Sequence, residues 1–286
     1  MIKYKTAITV LILGLLLIPT VWLMGHRANN SLLFVFVLFA FFMKFSNEFA
    51  ARVSEGFTRL AIDVKKRKRL IIGMLAFALL LAILSFFNNH RCSFLHLDSE
   101  KSLGTLYSGF LLAASVPIIY LCMKEYERKK DRWKWIPVGS LFALMALDEL
   151  SEFHHWLVYD IWHFISGKGQ EVLIDGIVLW LTLLSPFIFA IIIGLLLFIF
   201  RVLSKDAGIL ALAGLSFWIV SQLLEATIEG HLISLHILEI SMEEFCEMAG
   251  SILFIGSFLA ELDCLKKRKE VNTSDNMVSD RSDVFI

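Results

Sequence analysis

The sequence predicts an all-α fold, a polytopic helical membrane protein with about eight transmembrane helices. The first observation behind this prediction is composition. The chain has 286 residues, 57% of them hydrophobic, and a mean hydropathy of +0.71, whereas soluble domains have about 45–50% apolar residues. This composition excludes a water-soluble globular enzyme and a disordered chain. The four cysteines have no CxxC spacing, so a disulfide-rich scaffold is excluded as well.

The second observation is the length of the apolar segments. A bilayer core about 30 Å thick requires about 20 apolar residues in a helix. The sequence contains eight such candidate spans: Ala7–Met24, Leu32–Phe45, Leu70–Phe87, Leu103–Met123, Ile136–Tyr159, Val172–Phe200, Gly208–Ile228 and Ile240–Leu262. The first span is interpreted as a retained anchor, because its apolar run is too long for an ordinary signal peptide.

The third observation is the distribution of basic residues. With eight spans, 23 of the 27 lysines and arginines fall on the side of the two termini and four on the other side. Because cytoplasmic loops of membrane proteins carry the excess of Lys and Arg, we expect both termini to be cytoplasmic. Short loops and the lack of organelle signals favour a bacterial inner (cytoplasmic) membrane.

We interpret residues 1–265 as a single transmembrane domain and residues 266–286 as a polar, disordered cytoplasmic tail. A cytoplasmic segment, residues 46–69, is amphipathic and then basic. Its apolar face predicts a helix on the membrane surface or a continuation of the second span. Its basic run, 65–69, is expected to contact anionic membrane lipids. Nothing in the sequence indicates nucleic-acid binding, and protein partners are not specified.

On the other side lie 14 of the 27 acidic residues, in the outer loops or the outer halves of the spans, and all eight histidines. A charged side chain in mid-span costs about 2.5–3.5 kcal/mol on insertion scales. The fifth, seventh and eighth spans have no lysine or arginine at this depth. Protonation, a water-filled vestibule or bound cations would each offset the cost, and we expect the carboxylates to face inward.

Helical spacing groups these residues. Asp148, Glu152 and His155 follow an i, i+4, i+7 pattern, which places them on one helix face. Glu152 and His155 also form the Glu-x-x-His pair of carboxylate-bridged dimetal bundles. A mixed carboxylate and imidazole set suits zinc, manganese or iron. The predicted ligands of such a divalent metal are Asp148, Glu152, His154, His155, Glu225, Glu229, Glu244 and Glu247.

Two other acids are candidate catalytic residues. Glu149 or Glu243 would act as a general base on a metal-bound water, whose pKa the metal lowers. The histidines have an alternative interpretation, since His154 and His155 lie beside Trp156, Tyr159 and Trp162. Such a group is typical of the aromatic belt at a membrane interface.

Two motifs carry a resemblance. Asp148-Glu149 is followed after four residues by His154, and Glu243-Glu244-x-x-Glu247 begins a later span. The sequence therefore resembles a group of uncharacterised multi-pass prokaryotic membrane proteins, which have Asp-Glu-x4-His-Glu and Glu-Glu-x-x-Glu intramembrane motifs. This chain has His155 where the group has Glu, which would change the ligand set of a metal site. The resemblance implies no established activity.

Three functional hypotheses remain. The first is a metal-dependent membrane enzyme, a hydrolase, acting on a lipid or envelope substrate near the outer leaflet. The second is a proton- or cation-coupled transporter, since unpaired carboxylates are typical of ion pathways. Against it, the inner halves of the spans lack matching acids and no inverted repeat is evident. The third is a divalent-ion sensor or assembly subunit.

Overall fold

The computed structural model describes residues 47–88, 102–126, 128–151, 173–227 and 233–282. These residues are helical apart from short turns, and none of them forms a strand. The chain divides into two compact units, Met1–Val53 and Ser54–Ile286, and the helix contacts that position the site lie within the second unit. The first two predicted spans fall outside the described residues.

Eight α-helices follow one another along the described part of the chain. They are α1 (Asn47–Ile62), α2 (Val64–Asn88), α3 (Leu103–Glu125), α4 (Lys129–Arg132), α5 (Ile136–Ser151), α6 (Leu173–Val202), α7 (Lys205–Thr227) and α8 (Ile233–Ser282). A single 3₁₀ turn, Trp133–Trp135, joins α4 to α5. Helices α2, α3, α5, α6, α7 and α8 begin close to the starts of the last six predicted spans.

Four of these helices are long and apolar enough to cross a membrane. Within the described residues, the segments are Val64–Phe87, Leu103–Glu125, Lys205–Leu224 and Ile240–Asn272. A shorter apolar segment, Ile188–Val202, lies in α6. The predicted all-helical fold with apolar helices of membrane-spanning length is thus confirmed for this part of the chain, and it is the fold of a membrane protein.

The boundary between α1 and α2 is set by Asp63. Its Oδ1 accepts a 3.0 Å hydrogen bond from the backbone N–H of Lys66, as the N-cap residue of a helix does. These contacts with Lys66 hold the pKa of Asp63 below its usual value. The apolar face of α1 packs on protein, because Phe57 and Leu60 contact the hydrophobic core. The basic run, residues 65–69, follows Asp63 and forms the first turns of α2.

Helix α8 is the most deeply buried of the four long apolar helices and packs against α7, α3 and α2. It runs parallel to α3: Cys122 Sγ donates to the Phe258 carbonyl at 3.3 Å, and both C-terminal segments meet where Lys269 pairs with Glu125. It runs antiparallel to α7, whose residue Ala207 accepts a hydrogen bond from Ser257 Oγ.

Two glycines allow α7 and α8 to approach closely. A Cβ added at Gly250 would lie 2.9 Å from the Gly214 carbonyl oxygen and 2.7 Å from Trp218 Nε1. Small residues at a helix crossing permit backbone contact, which is how helices gain packing energy inside a membrane. This crossing therefore fixes the register of α7 on α8.

Aromatic side chains fill the bundle interior from α5 to α8. Phe142 contacts three other rings, with centroid distances of 5.3–5.4 Å, and Trp135 contacts Phe198 at 4.9 Å. Edge-to-face and tilted contacts at these distances are favourable for aromatic pairs. We call this group the aromatic core; its members are Trp135, Phe142, Phe198, Trp218, Phe254 and Phe258.

The last helix is longer than its apolar part. The sequence predicts the eighth span to end at Leu262, whereas α8 continues to Ser282. Exposed basic residues follow the apolar part directly, in 267–269. Glu and Lys have good intrinsic helix propensity, so a helix continues here although the apolar pattern stops. The disorder predicted for the tail, 266–286, stays a prediction.

Candidate functional site

Five of the predicted site residues lie at one end of the bundle. They are Asp148 and Glu149 near the end of α5 and Glu243, Glu244 and Glu247 in the first half of α8, and we call them the carboxylate site. All five side chains are half-buried. Their large apolar neighbours Leu150 and Met242 are exposed instead, as expected where a helix presents apolar side chains to lipid.

Glu247 is held by α7 through two contacts. Ser221 Oγ donates a 3.2 Å hydrogen bond to Glu247 Oε1, and Trp218 Nε1 donates to the Glu247 carbonyl at 3.2 Å. Ser221 is fully buried. Ser221 and Trp218 are three residues apart, so they lie on the same face of α7. The close helix crossing one turn away thus positions the Glu247 carboxylate.

Glu149 brings α5 to the same place. Its carboxyl group interacts electrostatically with those of Glu247 and Asp148. Its side chain also lies against α3, because a Cβ at Gly109 would be 3.5 Å from Glu149 Cγ and 2.8 Å from Leu150 Cδ2. Glycine at this position leaves room for both side chains. Three helices therefore surround a pair of acidic groups contributed by α5 and α8.

The other predicted ligands lie beyond what the structure describes. Glu152, His154, His155 and Glu229 fall outside the described residues, and Glu225 lies in α7 with its side chain undescribed. Among the described residues, no group of three His, Cys, Asp or Glu side chains is placed to hold a metal. The predicted zinc, manganese or iron site therefore stays a prediction.

The opposite end of the bundle carries the ion pairs. Asp263, which is buried, pairs with Arg67 at 3.7 Å and with Lys267 at 2.9 Å. Glu125 pairs with Lys266 and Lys269. Asp263 and Glu125 have basic partners there, whereas no lysine or arginine occurs anywhere between Lys205 and Lys266. The two ends of α8 are therefore electrostatically different.

Sequence reasoning missed two buried acids, Asp263 and Glu261, and only Asp263 has a basic partner among the described ion pairs. The side chain of Glu261 is fully buried, and its Oε2 accepts a 2.6 Å hydrogen bond from the Ser204 N–H in the turn between α6 and α7. Burial, and to a lesser extent the Glu261 charge, raises the pKa of Tyr126 to about 12. In the sequence, Glu261 lies just before the predicted end of the eighth span, where an acid at the membrane interface is expected. Its role as a partner of a turn depends on tertiary packing.

The fold and site together define a class: a helical membrane protein with a carboxylate-rich site at one end of its bundle. The chain matches the model of a domain family of unknown function, DUF8692, over residues 70–262. This match covers more than half of the chain, so the protein belongs to that family. No curated protein and no solved structure matches it.

Proposed function

We propose that this protein is a metal-dependent enzyme of a bacterial inner membrane, with eight spans, cytoplasmic termini and its site facing outward. The carboxylate site would bind a divalent metal together with predicted ligands from the outer ends of α5 and α7. The substrate would be a lipid or an envelope precursor that enters from the membrane. The 23-to-4 asymmetry of basic residues supports this orientation.

The observation that carries the proposal is the electrostatic repulsion between Glu149 and Glu247, acidic residues of α5 and α8. Neither α5 nor the apolar part of α8 contains a lysine or arginine that would offset it. Like charges in one partly buried site repel, and a proton or a cation between them removes that repulsion. A divalent metal bound by Glu247 would offset the negative charge of both carboxylates and leave Glu149 beside the metal as a candidate base.

The aromatic core favours a one-sided site over a transport pathway. Phe142, Phe254 and Phe258 are almost completely buried and contact each other between the carboxylate site and the end of α8 that carries Glu261. An ion path needs polar groups or water along its length. The inner acid that transport would require is present in Glu261, but apolar rings lie between it and Glu247.

The proposed chemistry follows from the residue types. A bound metal supplies a hydroxide nucleophile at neutral pH by lowering the pKa of its water. Ser221 would keep the Glu247 carboxylate in a ligating orientation through its hydrogen bond. Glu149 or Glu243 would accept the proton of the attacking water, as a general base must lie within hydrogen-bond reach of it.

Elemental analysis tests this proposal. We expect detergent-purified protein to hold about one or two equivalents of zinc, manganese or iron, the number that mono- and dinuclear sites take. The double variant Glu149→Gln, Glu247→Gln should lose this metal. Asp206→Asn is the matched control, because Asp206 is an exposed acid at the other end of α7, and it should retain wild-type metal.

Folding must be equal in the samples compared, so each variant is accepted only if it elutes as the wild type in size-exclusion chromatography. Absence of metal from the wild-type protein, purified without chelator, contradicts the proposal. Equal metal in the wild type and the double variant contradicts the assignment of the site. A protein that passes is then assayed for hydrolysis of lipid and envelope substrates.

A further inference from the structure

Two buried hydroxyl groups near the carboxylate site have no hydrogen-bond partner among the described residues. Ser108 of α3 is 2% exposed and Ser241 of α8 is 4% exposed, and the Oγ atom of each is unsatisfied. Such groups are rare, because burying a hydroxyl without a partner costs about 1–3 kcal/mol. The buried Ser115 of the same helix has a partner, because its Oγ donates to the Leu111 carbonyl.

Helix register places Ser108 beside the acids of α8. Helices α3 and α8 are parallel, and Cys122 contacts Phe258. Fourteen residues earlier, α3 has Ser108 and α8 has Glu244, so these two residues lie at the same height along the bundle. A second set of contacts agrees: the neighbour of Ser108, Gly109, lies against Glu149, which interacts with Glu247.

The same periodicity places Ser241 on this face. Glu244, Ser251 and Phe258 follow one another on α8 at steps of seven residues, and Ser241 is the i−3 neighbour of Glu244. On α3, Ser108 shares a stripe with the buried Ser115 and Cys122. Ser108 of α3 and Ser241 and Glu244 of α8 therefore lie within about one helical turn of each other along the bundle.

We propose that these groups form a binding site for a sodium ion between α3 and α8. Hydroxyl and carboxylate oxygens are hard ligands, which favour hard cations over zinc or iron. Two neutral hydroxyls and one carboxylate balance a single positive charge, whereas Ca²⁺ prefers six to eight oxygens that include several carboxylates. This site shares Glu244 with the predicted ligands of the divalent metal, and it goes beyond the proposed function because sodium would bind when that metal is absent.

Sodium-dependent stability tests the inference. Melting temperatures of the detergent-purified full chain are measured in a chelator, with NaCl replaced stepwise by KCl or choline chloride at constant ionic strength. A ligand that binds only the folded state raises the melting temperature in proportion to its saturation. We expect a saturable rise with sodium that neither potassium nor choline reproduces.

Serine variants locate the site. In Ser108→Ala and Ser241→Ala we expect the sodium concentration for half-maximal stabilisation to rise roughly threefold to tenfold, the loss expected of one neutral polar contact. Ser115→Ala is the matched control, a buried serine of the same α3 stripe whose hydroxyl already has a partner, and it should keep the wild-type sodium response.

Two results would overturn the inference. One is a melting temperature that responds equally to sodium, potassium and choline. The other is a sodium response that Ser108→Ala and Ser241→Ala leave unchanged. Because the measurement is made in a chelator, its outcome does not depend on divalent metal. A protein that binds zinc but shows no sodium response sinks this inference and leaves the proposed function standing.

Discussion

At the scale of single residues, Glu247 interacts with both α5 and α7. It accepts a hydrogen bond from Ser221, its carbonyl accepts one from Trp218, and its carboxyl interacts with Glu149. The sequence predicts Glu247 as a ligand from its spacing and from its cost in a membrane. It does not predict Ser221, because a serine in an apolar helix is common and only the approach of α8 gives this one a partner.

Removing the Ser221 hydroxyl tests how far Glu247 depends on it. In Ser221→Ala the carboxylate loses one hydrogen bond worth about 0.5–1.5 kcal/mol. We expect metal retention after dialysis to fall roughly threefold to tenfold, less than in Glu247→Gln. The measurement is the amount of metal bound by each variant after dialysis against a series of free metal concentrations.

Ser216→Ala is the control for this change. Ser216 lies on the same helix, is exposed, and donates only to the Leu212 carbonyl. Its variant should bind metal as the wild type does. If both serine variants lose metal equally, the effect belongs to α7 as a helix and the role of Ser221 is wrong.

At the scale of helices, apolar length predicts where the helices lie and not where they contact. Helices α2, α3, α5 and α7 begin within about two turns of their predicted spans, because a bilayer fixes the length of an apolar helix. The crossing of α7 and α8 at Gly214 and Gly250 has no such sequence signal. Gly250 is one of 16 glycines, and only its partner helix distinguishes it from the rest.

Gly250→Ala should destabilise this crossing. The added Cβ would lie 2.9 Å from the Gly214 carbonyl oxygen. Because that oxygen is a backbone atom, the clash is relieved only if α7 moves. We expect a loss of about 1–3 kcal/mol, the usual cost of overpacking, seen as a lower melting temperature in detergent. Gly194→Ala in α6 has no atom within 4 Å of the added Cβ and should leave the melting temperature unchanged or higher. Equal melting of both variants would contradict a tight crossing.

At the scale of the whole molecule, composition alone is enough to predict a helical membrane protein. The predicted orientation in the membrane rests on the unequal number of basic residues on the two sides. Most of these residues lie in loops, so the packing of the helices does not determine it. The pairing of Asp263 with Arg67 and the burial of Glu261 follow from packing, and no count of charges along the chain predicts them. The number of spans and the assembly of the metal ligands depend in part on residues outside those described.

Reporter fusions test the eight-span topology. A fluorescent protein fused after Ile286 should be fluorescent and alkaline phosphatase fused there inactive, because the C-terminus is expected in the cytoplasm. Fusions in the loop near Lys168 should show the reverse pattern, since four basic residues in all lie on that side. The same reporter result at Lys168 and Ile286 would contradict the topology and the outward-facing site together.

The contacts between α7 and α8 extend over most of their shared length. Glu261 holds the turn before α7 at one end, Ser257 bonds to Ala207, the glycine crossing lies in the middle, and Ser221 bonds to Glu247 at the other end. These contacts tie the two helices together along their shared length, whereas α5 packs mainly against α3. In the proposed enzyme, a movement of α5 away from the α7–α8 pair would separate Glu149 from Glu247.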